Sequence, residues 1–334
     1  MFPVFLTITD NLTDQLKKAM VQSPEGFRID EFMERYSVKV IAQAFLGYPC
    51  NAFADEDDVV LRYVHAFHDS TSAENFITGL ARLFPSLTTL LKPLDWKHKT
   101  WTRRMNREAQ TFVNHTQTNS CQACPVMRSL IAHSILAFKS KEDETESKLP
   151  SFNSLSEQDI ADQVMGLLAA GLGPFAVTLT FIIYCMAVNE GEQEKVVEEI
   201  KATTSCKNII DLEEIKRMKI LERFIFEAMR VFPVAPGVTR ECVEDCVIFG
   251  HEFRRGMVIR IMSGAIYRKE EHFEQFHKFM PDRFKNGGHL KNAWMPFGLG
   301  PRKCVADRLA LVILKLCIAR ILQQFHIAAT EGTQ

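Results

Sequence analysis

A cysteine, two basic residues and two glycines crowd the stretch Phe297–Ala310, FGLGPRKCVADRLA. Cys304 directly precedes a segment from about Val305 to Phe325 with the composition of a strong helix. Unpaired backbone N–H groups at a helix start, and the dipole there, favour a thiolate and can hydrogen-bond its sulfur. Gly298 and Gly300 let the preceding loop pass close to something flat or bulky. Arg302 supplies a permanent cation able to grip a carboxylate, and Phe297 can shield one side of the sulfur. A lone buried cysteine is usually a small hydrophobe, but here loop, arginine and helix start coincide. A thiolate beside an apolar shield and a carboxylate-binding arginine suits a ligand of haem iron, because haem carries two propionates.

Glu227 and Arg230 stand three residues apart in an amphipathic helix, LERFIFEAMRVFP, that Pro233 stops. At that spacing a carboxylate and a guanidinium share one face and can pair. Nine cysteines in a long chain without a secretory leader point to reduced thiols. Cys121 and Cys124 have CxxC spacing with His115 nearby, but no second ligand pair is visible, so the expected reading is a polar loop rather than a metal site.

Phe297, Gly300, Arg302, Cys304 and Ala306 spell F-x-x-G-x-R-x-C-x-A, which resembles the haem-ligand signature of the cytochrome P-450 family. The family usually has Gly where Ala306 stands. Glu227 and Arg230, followed by Phe232–Pro233, are similar to the family's E-x-x-R pair. Arg283 in Pro281–Asp282–Arg283–Phe284 is similar to the arginine that completes the triad. The resemblance gives these three a structural role, locking the core around the haem loop. It makes Cys304 the iron ligand, Arg302 and Arg240 the propionate clamps, and Ala170 with Gly171 the pocket roof at the catalytic face. The implied cofactor is haem b. The implied partners are an apolar small-molecule substrate and an NADPH-dependent reductase, with Lys303 and Arg308 as docking contacts.

The chain departs from the family in its central helix. The family carries an acid and a threonine there that relay protons to iron-bound oxygen. This chain has Ala170–Gly171–Leu172–Gly173–Pro174–Phe175. Members that rearrange peroxides, such as thromboxane synthase, also lose the threonine, and the segment VTRECVEDC (238–246) is similar to that enzyme and its relatives. A peroxide isomerase is therefore one alternative to a monooxygenase, and an inactive truncated haem protein is another.

The elements that must position these residues are mostly helical. Asp30 is expected to precede a helix with Phe32, Tyr36, Val40 and Ala44 on one side. Val164–Val188 holds no charge in its length, which makes it a candidate membrane span. Its glycines, acidic flanks and the Ser154–Glu157 capping box favour a long helix buried on all sides. CVIF (246–249) and MVIRI (257–261) are expected to pair as a hairpin. Residues 114–125 and 139–154 read as surface loops. The expected fold is mainly α with small β-sheets, a single partial domain over 1–334 that lacks the family's first and last segments. By family the protein sits at the endoplasmic reticulum membrane; with no amino-terminal anchor in view, it is expected to be peripheral or cytoplasmic. The 334 residues are 46% hydrophobic and 24% charged, include 25 Phe, and carry a formal net charge of -1. That balance calls for no nucleic acid and suits an apolar interior or ligand.

Overall fold

The structure is a computed structural model that describes residues 2–54, 58, 60–61, 157–204, 210–285 and 292–333. His115, Cys121, Cys124, Ser154 and the loops expected at 114–125 and 139–154 lie outside the described residues. The chain forms two compact units, the first drawn from the residues up to Gln15 and Asp30–Ala176, the second from Leu16–Ile29 and Val177–Gln334.

The first unit contains the start of α1 (Phe2–Gln22) and α2 (Ile29–Lys39), which runs directly into a π-helical turn, Val40–Phe45. Asp30 lies in the first turn of α2 with Glu31, rather than ahead of it, where acidic side chains offset the positive end of the helix. Tyr36 is fully buried, shares a hydrogen bond of 2.9 Å with Thr9 Oγ1, and stacks on Phe175 at 6.1 Å between ring centroids. The π turn is marked by the Leu46 N–H donating to the Ile41 carbonyl five residues back, at 3.2 Å.

The central helix, α3, spans Glu157–Val188 with Pro174 inside it. It is not buried on all sides, as its composition predicts. Val164, Leu168, Leu172, Ala176, Leu179 and Ile183 are buried, whereas Gly166, Ala170, Pro174 and Val177 are exposed. The helix is apolar all round, but only one face packs into the core, and composition alone cannot tell the faces apart. Asp162–Val188 has the length and hydropathy of a membrane span, with 33% of its most apolar window buried. Tyr36 and Ile41 pack on its first half and Phe232 on its second, at 4.4 Å from Phe181, as core side chains would.

The second unit holds α4 (Glu190–Thr204), α5 (Leu212–Arg217), α6 (Lys219–Val231), α7 (Ser263–Ile266) and α8 (Asp307–Leu322). Glu199 on α4 accepts from the N–H groups of Ile220 and Leu221 at 2.7 and 2.9 Å, satisfying donors that the start of α6 leaves open. Leu221, Phe224, Ile225 and Ala228 form the buried face of α6. In α8 the run Ile313–Ala319 is buried without a break, and Lys315 within it reaches Glu222 Oε2 at 3.1 Å. Burial lowers the Lys315 pKa, and Glu222 opposes that shift.

The strands differ from the expected hairpin. β2 (Cys246–Ile248) pairs with β3 (His251–Phe253), while β4 (Val258–Ile261) pairs with β1 (Val238–Glu241), both antiparallel. The reversal falls on Phe249 and Gly250, with φ of 51° and 81°, the pattern of a two-residue turn. HEF was read as part of the turn because the signal there is Phe-Gly instead of Asn-Gly.

Gln193 on α4 is fully buried and acts as a strand would. Its Nε2 donates to the carbonyl of Ile327 at 2.8 Å and lies 3.1 Å from that of Met186, while its Oε1 accepts from Ile327 N–H at 2.9 Å. Gln193→Leu leaves those backbone groups unpaired in a dry place and is expected to cost about 1–3 kcal/mol, measured as a lowered urea midpoint with an unchanged slope.

Candidate functional site

Glu227 anchors this region. Its side chain is 0% exposed and that of Arg230 is 1% exposed. Arg230 Nε donates to Glu227 Oε2 and Nη2 to Oε1, both at 2.8 Å, a bidentate pair set by one helical turn of α6. Arg283 adds Nε at 3.1 Å from Oε1, and the Met280 N–H donates to the same oxygen at 2.8 Å. The arginines spend their other donors on carbonyls. Arg230 reaches Tyr267 O and Lys278 O, and Arg283 reaches Glu274 O, Gln275 O and Lys278 O. The three residues are thus brought together, and they pin the irregular chain between Tyr267 and Phe284 to α6.

That chain carries an aromatic cluster. Tyr267, Phe273, Phe284, Ala293 and Trp294 are buried together, with Phe226 of α6 packed against them. The Trp294 ring stands 4.9 Å from Phe284 and 5.2 Å from Tyr267. The Tyr267 hydroxyl accepts from the Met295 N–H at 3.2 Å. The segment entering the Cys304 loop is therefore fixed by one deep ring and one hydrogen bond. Burial pushes the Tyr267 phenol up to about 12.

From Pro296 the chain leaves the core. Gly298 and Gly300 take φ of 76° and 77°, a left-handed backbone that favours glycine. A 3₁₀ turn, Gly300–Arg302, follows. The Cys304 N–H donates to the Phe297 carbonyl at 2.8 Å and closes the loop, leaving the thiol exposed. Cys304 does not sit on the helix start as expected, because α8 begins three residues later, at Asp307. Asp307 occupies that positive end, receiving Arg308 N–H at 2.7 Å, and Lys303 Nζ at 2.7 Å holds its carboxyl below the usual range. Phe297 and Ala306 are partly buried on either side of Cys304 in sequence, and Arg302 is exposed.

Arg240 lies on β1 opposite Ile259, exposed, with Nη1 donating only to its neighbour's carbonyl, Thr239 O, at 2.9 Å. Among the described residues, neither Arg240 nor Arg302 forms an ion pair with a carboxylate. These residues fit a haem: a soft, exposed sulfur donor on a glycine loop, and two cations left for propionates. In the other unit Ala170 is exposed on α3, whereas Gly171 has a packing role of its own. A Cβ there would stand 2.8 Å from Ile41 Cδ1. An open hollow of about 380 Å³ is bordered by Phe181, Phe232, Pro236, Met262 and Arg268. Cys304 does not line it.

Sequence reasoning missed Tyr267, Trp294 and the carbonyl of Lys278. Their partners lie far away in the chain, and the only local trace was the density of aromatic residues from 273 to 294.

A family model described as Cytochrome P450 matches residues 1–334. Cytochrome P450 3A17 of Cavia porcellus is 26% identical over 337 residues, covering 100% of this chain and 65% of that protein. Cytochrome P450 3A7 of Homo sapiens is 25% identical over 343 residues, with the same coverage of 100% and 65%. Probable cytochrome P450 6d5 of Drosophila melanogaster is 25% identical over 337 residues, covering 98% of this chain and 66% of that protein. The chain thus spans about 65% of the length of such relatives.

Replacing Glu227 by Gln leaves two guanidiniums without their carboxylate and is expected to cost about 3–5 kcal/mol. Arg223→Ala removes the exposed bridge to Asp282 at 2.9 Å and is expected to cost about 0–1 kcal/mol. Denaturant titrations of the two variants measure the contrast. The Tyr267 phenol has its own pH signature. Below about pH 10 it is neutral in both states, so its share of stability is fully present. Above that value the unfolded chain ionises first, and stability falls until about pH 12. The difference in urea midpoint between the wild type and Tyr267→Phe, followed against pH, isolates that fall.

Proposed function

The chain belongs to the cytochrome P450 family, and from that premise we propose that it works as a haem-thiolate monooxygenase on an apolar organic substrate. The observation that carries the proposal is the Cys304 loop. It is closed by the Cys304–Phe297 backbone bond, anchored in the core through Trp294, and offers an exposed sulfur. Haem b, when bound, supplies the redox chemistry of oxygen activation, which a thiolate ligand favours by pushing electron density towards the iron.

The protein's own residues do the rest. Cys304 supplies the thiolate. Arg302 and Arg240 hold the propionates as permanent cations. Phe297 and Ala306 limit water at the sulfur. On α3 the exposed row of Gly166, Ala170, Pro174 and Val177 offers no polar group, which suits an apolar substrate. Electrons come from an NADPH-dependent reductase, with Arg308 and the Lys303–Asp307 pair among the exposed charges around Cys304 that it meets. By family, the place of work is the endoplasmic reticulum membrane.

One observation speaks for a second reading. Gly173 and Pro174 stand where the family has its acid and alcohol, and Phe175 is spent on stacking with Tyr36. A substrate that brings its own O–O bond needs no such relay. Turnover of a lipid hydroperoxide without NADPH, and none with NADPH and reductase, separates this peroxide-isomerase reading from the first.

The full chain loaded with haem, reduced and exposed to carbon monoxide, is expected to show a Soret band strongly red-shifted from that of a histidine-ligated haem. Cys304→Ser is expected to abolish the shift. Arg302→Ala and Arg240→Ala should each weaken haem retention by about tenfold, the effect of one charge-assisted hydrogen bond. A folded chain that retains no haem, or a spectrum indifferent to Cys304, overturns the proposal.

A further inference from the structure

The segment VTRECVEDC holds two cysteines that the haem chemistry does not use. Cys242 follows the end of β1, and Cys246 opens β2. Both are free thiols, and their sulfurs stand 3.7 Å apart. Cys242 is 8% exposed, and its sulfur donates to the carbonyl of Glu244 at 2.9 Å. Cys246 is partly exposed. A disulfide needs about 2.05 Å between sulfurs, a closure that side-chain rotation can supply at a turn. The backbone around the pair is held on both sides. Cys242 N–H donates to Met257 O at 2.9 Å, Gly256 N–H donates to Cys242 O at 2.7 Å, and Cys246 pairs in register with Phe253.

We propose that Cys242 and Cys246 form a reversible dithiol–disulfide site that exchanges with small-molecule disulfides of the glutathione type. The Cys246 thiolate, the more accessible of the two, attacks one sulfur of oxidised glutathione. A mixed disulfide forms and one glutathione thiolate leaves. The Cys242 thiolate then attacks the Cys246 sulfur, the intrachain bond forms, and the second glutathione leaves. The two protons given up by the cysteines end on the two glutathione thiolates, so one disulfide is reduced as one is made. The product joins two sheets that share no ladder, β1–β4 and β2–β3. Cys242 and its acidic neighbours push the Cys246 thiol above its ordinary value, which keeps the pair reduced and quiet unless an oxidant is supplied.

The test uses the full chain, without haem, in oxidised glutathione at mildly alkaline pH, followed by alkylation, trypsin and mass spectrometry. Both cysteines fall in one tryptic peptide, residues 241–254, because cleavage follows Arg240 and Arg254. The expected product is that peptide two hydrogens lighter and carrying no alkyl group, restored to the doubly alkylated form by prior reduction. Cys242→Ser is expected to trap Cys246 as a lasting glutathione adduct. Should that buried replacement fail to fold, Cys246→Ser, at the more exposed position, is expected to abolish the lighter peptide while circular dichroism stays unchanged. Recovery of the wild-type peptide with both cysteines alkylated, or with an adduct on Cys246 that never resolves, overturns the proposal. Haem plays no part in this readout, so failure of the site and failure of the monooxygenase reading are separable.

Discussion

The carboxylate of Glu227 is the constraint on which the second unit depends. Taken out of water alone, such a charge costs several kcal/mol. Here two guanidiniums and one backbone N–H surround it. The arginines in turn need acceptors, and the chain supplies carbonyls from a segment with almost no regular structure. Those carbonyls have no ladder of their own, so pairing them with arginine meets their obligation as well. An irregular segment is thereby held as firmly as a strand would be.

From that clamp the order passes outwards. The segment fixed by Arg230 and Arg283 carries Tyr267 and Phe273, these rings receive Trp294, and Trp294 delivers the chain to the glycine loop. Side chains that do chemistry lie at the far, exposed end of this series, and those that bear load lie at the buried end. Cys304 itself has few contacts. Its position is owed to rings and ions elsewhere in the chain.

What the sequence disclosed follows the range of the interactions. The Cys304 motif and the Glu227–Arg230 pair are local, and their spacing alone placed them on a loop and on one helix face. Arg283 joined them only through resemblance, since nothing near it in sequence points to Glu227. The strand pairing was misread because Phe249 fills a turn position that usually advertises itself with Asn or Gly. The burial of α3 was misread because an all-apolar helix carries no mark of which side faces the core. Gly171 was assigned to a ligand pocket, yet the methyl of Ile41 already accounts for its missing side chain. Gln193 passed unnoticed, for a glutamine among glutamates looks like any solvated residue until its backbone partners are known.

The π turn at Val40–Phe45 has a consequence for length. It accommodates one residue more than an α turn over the same advance, so α2 and the turn together carry a surplus residue. Removing a residue there would restore the α ladder and rotate everything that follows by about 100°. Ile41 and the segment after it would then face elsewhere, and the hollow that Gly171 leaves would lose its filling. Single-residue deletions are tolerated in loops, but this helical stretch has a counted length.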